Sequence, residues 1–489
     1  MKEAWLRGVA ANPAAPPDVL LRLLDPAAEA AWEVLCEGRA LPAEVVDAVI
    51  AHPDPKVRRR FARNPHAAPA DRGRLATDPD AKVRAHLAGG PRPGRHPRQA
   101  LPDDVLVTLL TARDEDFGPG QLVSTAEVAQ ELVASGQLPA SFRHRAVRHE
   151  NPAVRVYGAH HWIWLGPAQR EALLADSDPT VREAARDAGR HLDPAAMEAE
   201  LPAPDCHQRS LMLGEYAVSR AVVERCLAEN RNLYSLARNR HTPADAVARL
   251  ARDPDPEVRE RVAARADLTP ALLAELSEDP APVVRTRALL QPLPRTWGQR
   301  AAIDRVIGRT AEQIGRLPTM LTEPDPGWYT ECAISDHPLL RRLAATCPAL
   351  PEDLAHRLAE DPDTEVRHLL ALNHPLAPPA TLLETFVAAP RQRPCLLSLP
   401  RLPRTGLARL LTHEDPEVRA LAAADPTLDR PPVALLTDLD PRVRRAAAAN
   451  PLIPPNLDDP DLAEGAAANS RLTAEQLHNL LDQCDLPPL

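Results

Sequence analysis

A short string, Asp-Pro-x-Val-Arg or a near variant of it, returns along this chain at an almost fixed interval, and that recurrence limits the possible folds more than any other feature. The Val-Arg pair sits in it at Val57, Val83, Val154, Val181, Val258, Val284, Val366, Val418 and Val443, with Leu340-Arg341 as a variant. Val57 to Val83, Val258 to Val284 and Leu340 to Val366 are each 26 residues, Val418 to Val443 is 25, and Val366 to Val418 is 52, twice the unit. The 77 residues from Val181 to Val258 have room for three units, one of them visible from Leu233 to Leu250. An internal period of roughly 20 to 50 residues marks a stack of repeated units, and it outranks any single motif in setting the fold.

The clearest copy runs from Asp253 to Leu276, DPDPEVRERVAARADLTPALLAEL. Asp255 suits an N-cap, where a carboxylate accepts orphan backbone N–H groups, and Pro256 suits the first helical position because it has no N–H to leave unpaired. Val258, Val262 and Ala263 then form one narrow apolar stripe, with Arg259, Glu260 and Arg261 largely off it. Thr269 and Pro270 start a second helix, whose apolar face is Leu272, Leu273 and Leu276. Isolated helices shorter than about 12 residues are marginal in water, so each unit needs neighbours to bury both faces. In such a stack the repeated Val-Arg arginine is expected to bond an aspartate of an adjoining unit, as a ladder.

At these residues the sequence resembles the leucine-rich repeat variant family, within the wider class of HEAT-like α-solenoids. Asn12-Pro13, Asn64-Pro65 and Asn450-Pro451 at the end of the first helix, followed by a proline ahead of a Leu-x-x-Leu-like second helix, carry the resemblance. It implies an all-α fold, a right-handed α-solenoid or superhelix of roughly 26-residue two-helix repeats, with the second helix often of the tighter 3₁₀ type. It implies little about activity, since such arrays host many unrelated functions. The family's best-known member carries a Cys-bound iron–sulfur domain ahead of its repeats. Here Cys36, Cys206, Cys226, Cys332, Cys347, Cys395 and Cys484 are scattered, with no C-x-x-C pair, so neither that domain nor a disulfide framework is expected.

The organisation read from the sequence has five segments. Residues 1–88 are N-terminal repeats, and 89–150 hold a Gly/Pro-rich loop (Gly89 to Arg98) and two degenerate helical pieces joined by FGPGQ. Residues 151–290 are central repeats, and 291–335 are an irregular insertion or hinge, with a longer helix from Arg300 and a loop, EPDPGWYTE, from Glu323. Residues 336–489 are C-terminal repeats, expected to fold alone and to end in a helix that caps the stack, with a Thr473-x-x-Gln476 capping box. No run of 18 apolar residues or signal-like start occurs, so a soluble cytoplasmic monomer without membrane contact is expected.

Candidate chemistry is sparse. His160, His161, Trp162 and Trp164 form the densest polar-aromatic cluster, open to a metal or base-stacking reading and to a structural one in which the tryptophans fill the core between units. Successive helical residues point about 100° apart, which disfavours one ion between the two histidines. His149-Glu150 and His413-Glu414 lack the second histidine of H-E-x-x-H, and no P-loop, dinucleotide fingerprint or nucleophile elbow is present. No catalytic, cofactor-binding or metal-binding residue is therefore assigned, and no cofactor.

Charge is more telling. Of 58 basic residues only Lys2, Lys56 and Lys82 are lysines, a bias toward GC-rich codons that makes any one arginine weak evidence of function. Residues 52 to 100 nevertheless carry a local balance of +8 in a chain of −10, while Asp458, Asp459, Asp461, Glu464, Glu475, Asp482 and Asp485 make the last units acidic. Arg58, Arg59, Arg60, Arg92, Arg95 and Arg98 are thus candidates for binding an anion or partner, against simple balance between solvated faces. The function expected is a non-enzymatic scaffold that binds a protein partner on its curved surface. The alternative is a nucleic-acid-binding or DNA-repair protein like the HEAT-type alkylpurine glycosylases, using the basic N-terminal repeats. A pI near 6 and basic charge at one end alone weigh against that alternative.

Overall fold

The structure is a computed structural model that describes residues 1–91, 100–112, 124–162, 165–204, 206–290, 296–315 and 326–488. Every regular element among the described residues is a helix, mostly α with a few 3₁₀ segments, and no strand occurs among them. None of these helices is long and apolar enough to cross a membrane.

The local signals work as the sequence implies. Asp255 accepts the Glu257 N–H at 2.8 Å, Pro256 opens the helix Pro256–Ala263, and Val258, Val262 and Ala263 are buried. Thr269 accepts the Leu272 N–H at 3.3 Å and caps Pro270–Ser277, where Leu276 is buried and Leu272 and Leu273 pack partly on the same core. Asp54, Asp80, Asp178, Asp363, Asp415 and Asp440 cap corresponding helices in the same manner. At Ala408–Leu410 and Val433–Thr437 the second helix takes the 3₁₀ form.

Two side-chain ladders join unit to unit. In the first, the Val-Arg arginine grips the opening aspartate of the next unit with two donors. Arg259 reaches Asp279 at 2.7 and 3.0 Å, and Arg58 reaches Asp78, Arg155 Asp176, Arg341 Asp361 and Arg419 Asp438 in the same geometry. The third nitrogen of Arg259 donates to the carbonyls of Asp253 and Pro254, and so binds the turn that opens its own unit. In the second ladder, an asparagine or arginine after the first helix donates to carbonyls at the same place in the preceding unit. Asn450 donates to Ala423 and Asp425 oxygens, both at 2.8 Å, and Asn469 to Ala448 and Asn450 oxygens at 3.0 and 2.9 Å.

The chain forms two compact units, Met1–Pro139 with Ala377–Leu489, and Ala140–Leu376. Within the first, the second ladder runs without a break from the end of the chain to its beginning. Asn12 donates to Ala467 and Asn469 oxygens at 3.0 and 2.9 Å, Arg39 to Ala10 and Asn12 oxygens, and Asn64 to Cys36 and Arg39 oxygens. The helix Lys2–Ala11 packs on Ala463–Ala467 as that helix packs on Pro441–Ala449. Glycine permits both approaches: a Cβ at Gly8 would meet the Glu464 carbonyl and the Ala467 Cβ, and one at Gly465 would meet the Arg445 carbonyl and the Ala448 Cβ.

The acidic end of the sequence is matched at this junction. Lys2 pairs with Asp485 at 2.6 Å and Arg7 with Glu464 at 3.0 Å, while buried Arg22 bonds Asp482 at 2.6 Å and the Leu486 and Pro487 carbonyls. The last helix, Ala474–Gln483, carries the expected capping box, but it does not cap a solvent-facing end; it packs on Lys2–Ala11 and Pro17–Arg22. The longer helix expected from Arg300 is two helices, Trp297–Val306 and Ala311–Ile314, because Gly308 between them takes a left-handed φ of 69°. The loop expected to run through Glu331 is helical over Pro326–Ala333, since Trp328 and Tyr329 are buried there. Most of the Gly89–Arg98 loop, the FGPGQ turn and residues 316–325 lie outside the described residues.

Candidate functional site

The helix Pro179–Gly189 turns two faces to different uses. Val181 and Ala185, one turn apart, are buried with Trp162, Leu165 and Leu173. Thr180, Glu183, Ala184, Asp187 and Ala188 follow the i, i+3, i+4, i+7, i+8 spacing of a second face, which forms one side of a cleft of about 610 Å³. His160, Trp162, His191 and Tyr216 complete the lining.

Each of these is held by the repeat framework. His191 lies in the 3₁₀ turn Arg190–Leu192 that continues the helix, and its carbonyl accepts the Ala217 N–H at 2.9 Å. That bond brings the His191 and Tyr216 rings into a parallel stack, 4.2 Å between centroids and 7° between planes. The Tyr216 carbonyl accepts from Asn239 at 2.7 Å, so the second ladder itself positions this wall. Trp162 is only 5% exposed, and its carbonyl accepts from Arg170, whose guanidinium lies 5.8 Å from the indole centroid. The Trp162 Nε1–H is buried without an acceptor among the described residues.

Charge in the cleft is predominantly negative. Glu183 and Asp187 make no ion pair with any described residue, although carboxylates elsewhere in the array regularly do. Glu33 is met by Arg60, and Glu260 by Arg287, in each case 27 residues further on. The residue 27 beyond Glu183 is Ser210, which cannot play that part. His160 sits at the cleft margin, and the protein packed around it lowers its pKa below the ordinary imidazole value, favouring the neutral ring.

The structure divides the residues singled out from the sequence. His160 lines the cleft while His161 meets the Tyr157 ring edge-on at 4.9 Å and 75°, so the two imidazoles have different surroundings. Trp162 is in the core as the structural reading expects, and Trp164 lies outside the described residues. Among the described residues no group of three His, Cys, Asp or Glu is placed to hold a metal ion. Arg58 is buried against Asp78, Arg59 pairs with Asp80 at 2.6 Å and Arg60 with Glu33 at 3.1 Å, so all three serve internal contacts. Arg92, Arg95 and Arg98 lie outside the described residues.

Sequence reasoning missed Thr180, Glu183, Asp187, His191 and Tyr216. The helical spacing of the first three was available, as was the absence of an arginine 27 residues beyond Glu183; the meeting of His191 with Tyr216 was not. No family profile and no curated protein matches this chain.

Proposed function

We propose that this chain is a non-enzymatic scaffold whose repeats coil as a right-handed α-solenoid of the leucine-rich repeat variant type and hold a protein partner along their lateral surface. The supporting observation is the way polar side chains are used. Arg259 and its counterparts, and the asparagines from Asn450 through Asn469 to Asn12, are consumed in stacking one unit on the next. A frame built in this way is stiff and presents extended surface, which is how stacked repeats bind. The junction between the first and last units also covers both of those faces, so the sides of the array are what a cytoplasmic monomer has to offer.

The nucleic-acid alternative draws little support from the basic N-terminal repeats, because Arg58, Arg59 and Arg60 are engaged internally. Affinity capture from the native host, with half the sample treated with nuclease, separates the two readings. Retention of a protein that survives nuclease and moderate salt is the expected result. Retention that disappears with nuclease, or nucleic acid held at about 50 mM salt and released steeply as salt rises, overturns the scaffold in favour of polyanion binding.

A further inference from the structure

We infer that the cleft between the helix Pro179–Gly189 and the His191–Tyr216 pair is a receptor for a basic side chain, arginine or lysine, in an extended segment of the partner protein. The inference rests on the scaffold reading and gives that partner a chemistry. Two features of the cleft converge on it. Glu183 and Asp187 stand one helical turn apart on the lining face, and neither has an ion-pair partner among the described residues, whereas Glu33 and Glu260 on other helices are each met by an arginine. Aromatic rings stand beside them, and the faces of such rings attract cations. Arg170 already covers the Trp162 ring, so the Tyr216 side offers the ring surface for a ligand.

In a protein partner the side chains that carry such a cation are arginine and lysine. The volume, about 610 Å³, falls within the range of small-ligand pockets and accommodates one long side chain with its flanking backbone. The protein packed around His160 lowers its pKa, which lessens its opposition to a cation.

The test uses the full chain and dye-labelled hexapeptides, Ala-Gly-Arg-Arg-Gly-Ala and versions with Lys-Lys, Glu-Glu or a citrulline pair in the centre, the last a neutral near-isostere of arginine. Fluorescence anisotropy should show the Arg peptide bound at least about tenfold more tightly than the citrulline peptide, with affinity falling between about 50 and 300 mM salt. Glu183→Gln with Asp187→Asn should weaken it by about tenfold without moving the melting temperature, since neither side chain has an ion-pair partner to lose. Glu278→Gln, at an exposed carboxylate outside the cleft, should leave binding unchanged. Equal binding of the Arg and citrulline peptides, an unaffected double variant, or no binding at about 1 mM protein overturns the inference. If wild type and double variant capture the same host protein equally well, the scaffold reading stands and the cleft assignment falls. If neither captures any protein, the scaffold reading itself has failed.

Discussion

Arg259 and Asp279 illustrate how the repeat uses charge at the residue scale. Their side chains are 13% and 6% exposed, and the guanidinium bonds hold the Asp279 carboxyl below the ordinary carboxylate pKa, with burial acting in the opposite direction. Asp176 and Asp438 are depressed by the same arrangement with Arg155 and Arg419. A carboxyl whose folded pKa is depressed binds fewer protons folded than unfolded. Its contribution is therefore fully present above the unfolded value, near 4, and is lost as pH falls through the folded one. Asp279→Asn, which keeps the shape and removes the charge, should destabilise unit 140–376 by about 2 kcal/mol at pH 7. As pH falls through the depressed folded pKa the difference from wild type should shrink toward zero, because protonation discharges the aspartate there too. Urea melts at pH 7 and at a series of acidic pH values check this, and a deficit that stays constant with pH contradicts the ladder's electrostatic role. This bonding is legible from the sequence because Asp-Pro-x-Val-Arg fixes each partner relative to its own helix start.

At the scale of elements, α-helices of four to eleven residues persist because caps close their starts and neighbours bury their stripes. Where two first helices meet, the spacing is set by small residues, and the contact of Lys2–Ala11 with Ala463–Ala467 is the tightest test of this. Gly8→Val adds atoms where the Glu464 carbonyl and the Ala467 Cβ already lie, so it should cost about 1–3 kcal/mol, the usual range for overpacking. Gly166→Ala provides the contrast: its φ is −70°, and a Cβ there meets only Gln169 Oε1 at 3.8 Å, so the change should stay within about 0.5 kcal/mol. Denaturant melts of the two variants measure the difference, and equal effects would mean that the helices at the junction can separate freely. The elements misread from the sequence are those where local pattern lost to context. The helical pattern after Arg300 is broken by one left-handed glycine, and the turn-like Pro326-Gly327 is carried into a helix by burial of Trp328 and Tyr329.

For the molecule as a whole, residues 377–489 share a compact unit with 1–139 while 336–376 belong to the other, an arrangement that speaks against residues 336–489 folding alone. Without the first helices, Ala463–Ala467 and Ala474–Gln483 lose the cover of Lys2–Ala11 and Pro17–Arg22, and Glu464, Asp482 and Asp485 lose Arg7, Arg22 and Lys2. Residues 377–489 by themselves should show low helicity by far-UV circular dichroism and gain it when co-refolded with 1–139. Residues 140–376 should melt cooperatively alone. A C-terminal fragment that is fully helical and as stable as the intact chain would refute the closure.

The sequence by itself determined the helical class, the unit length, the caps and the ladder arginines, because each depends on residues within one or two turns of a motif. It also held the glycines and asparagines of the junction, though nothing marks Asn12 as different from Asn64 or Asn450. Only the tertiary structure decided that Asn12 finds its carbonyls 455 and 457 residues away, a pairing of surfaces on which local spacing is silent. The cleft is divided in the same way. Thr180, Glu183 and Asp187 share a face by helical periodicity alone, while the stack of His191 on Tyr216 depends on how one unit settles against the next.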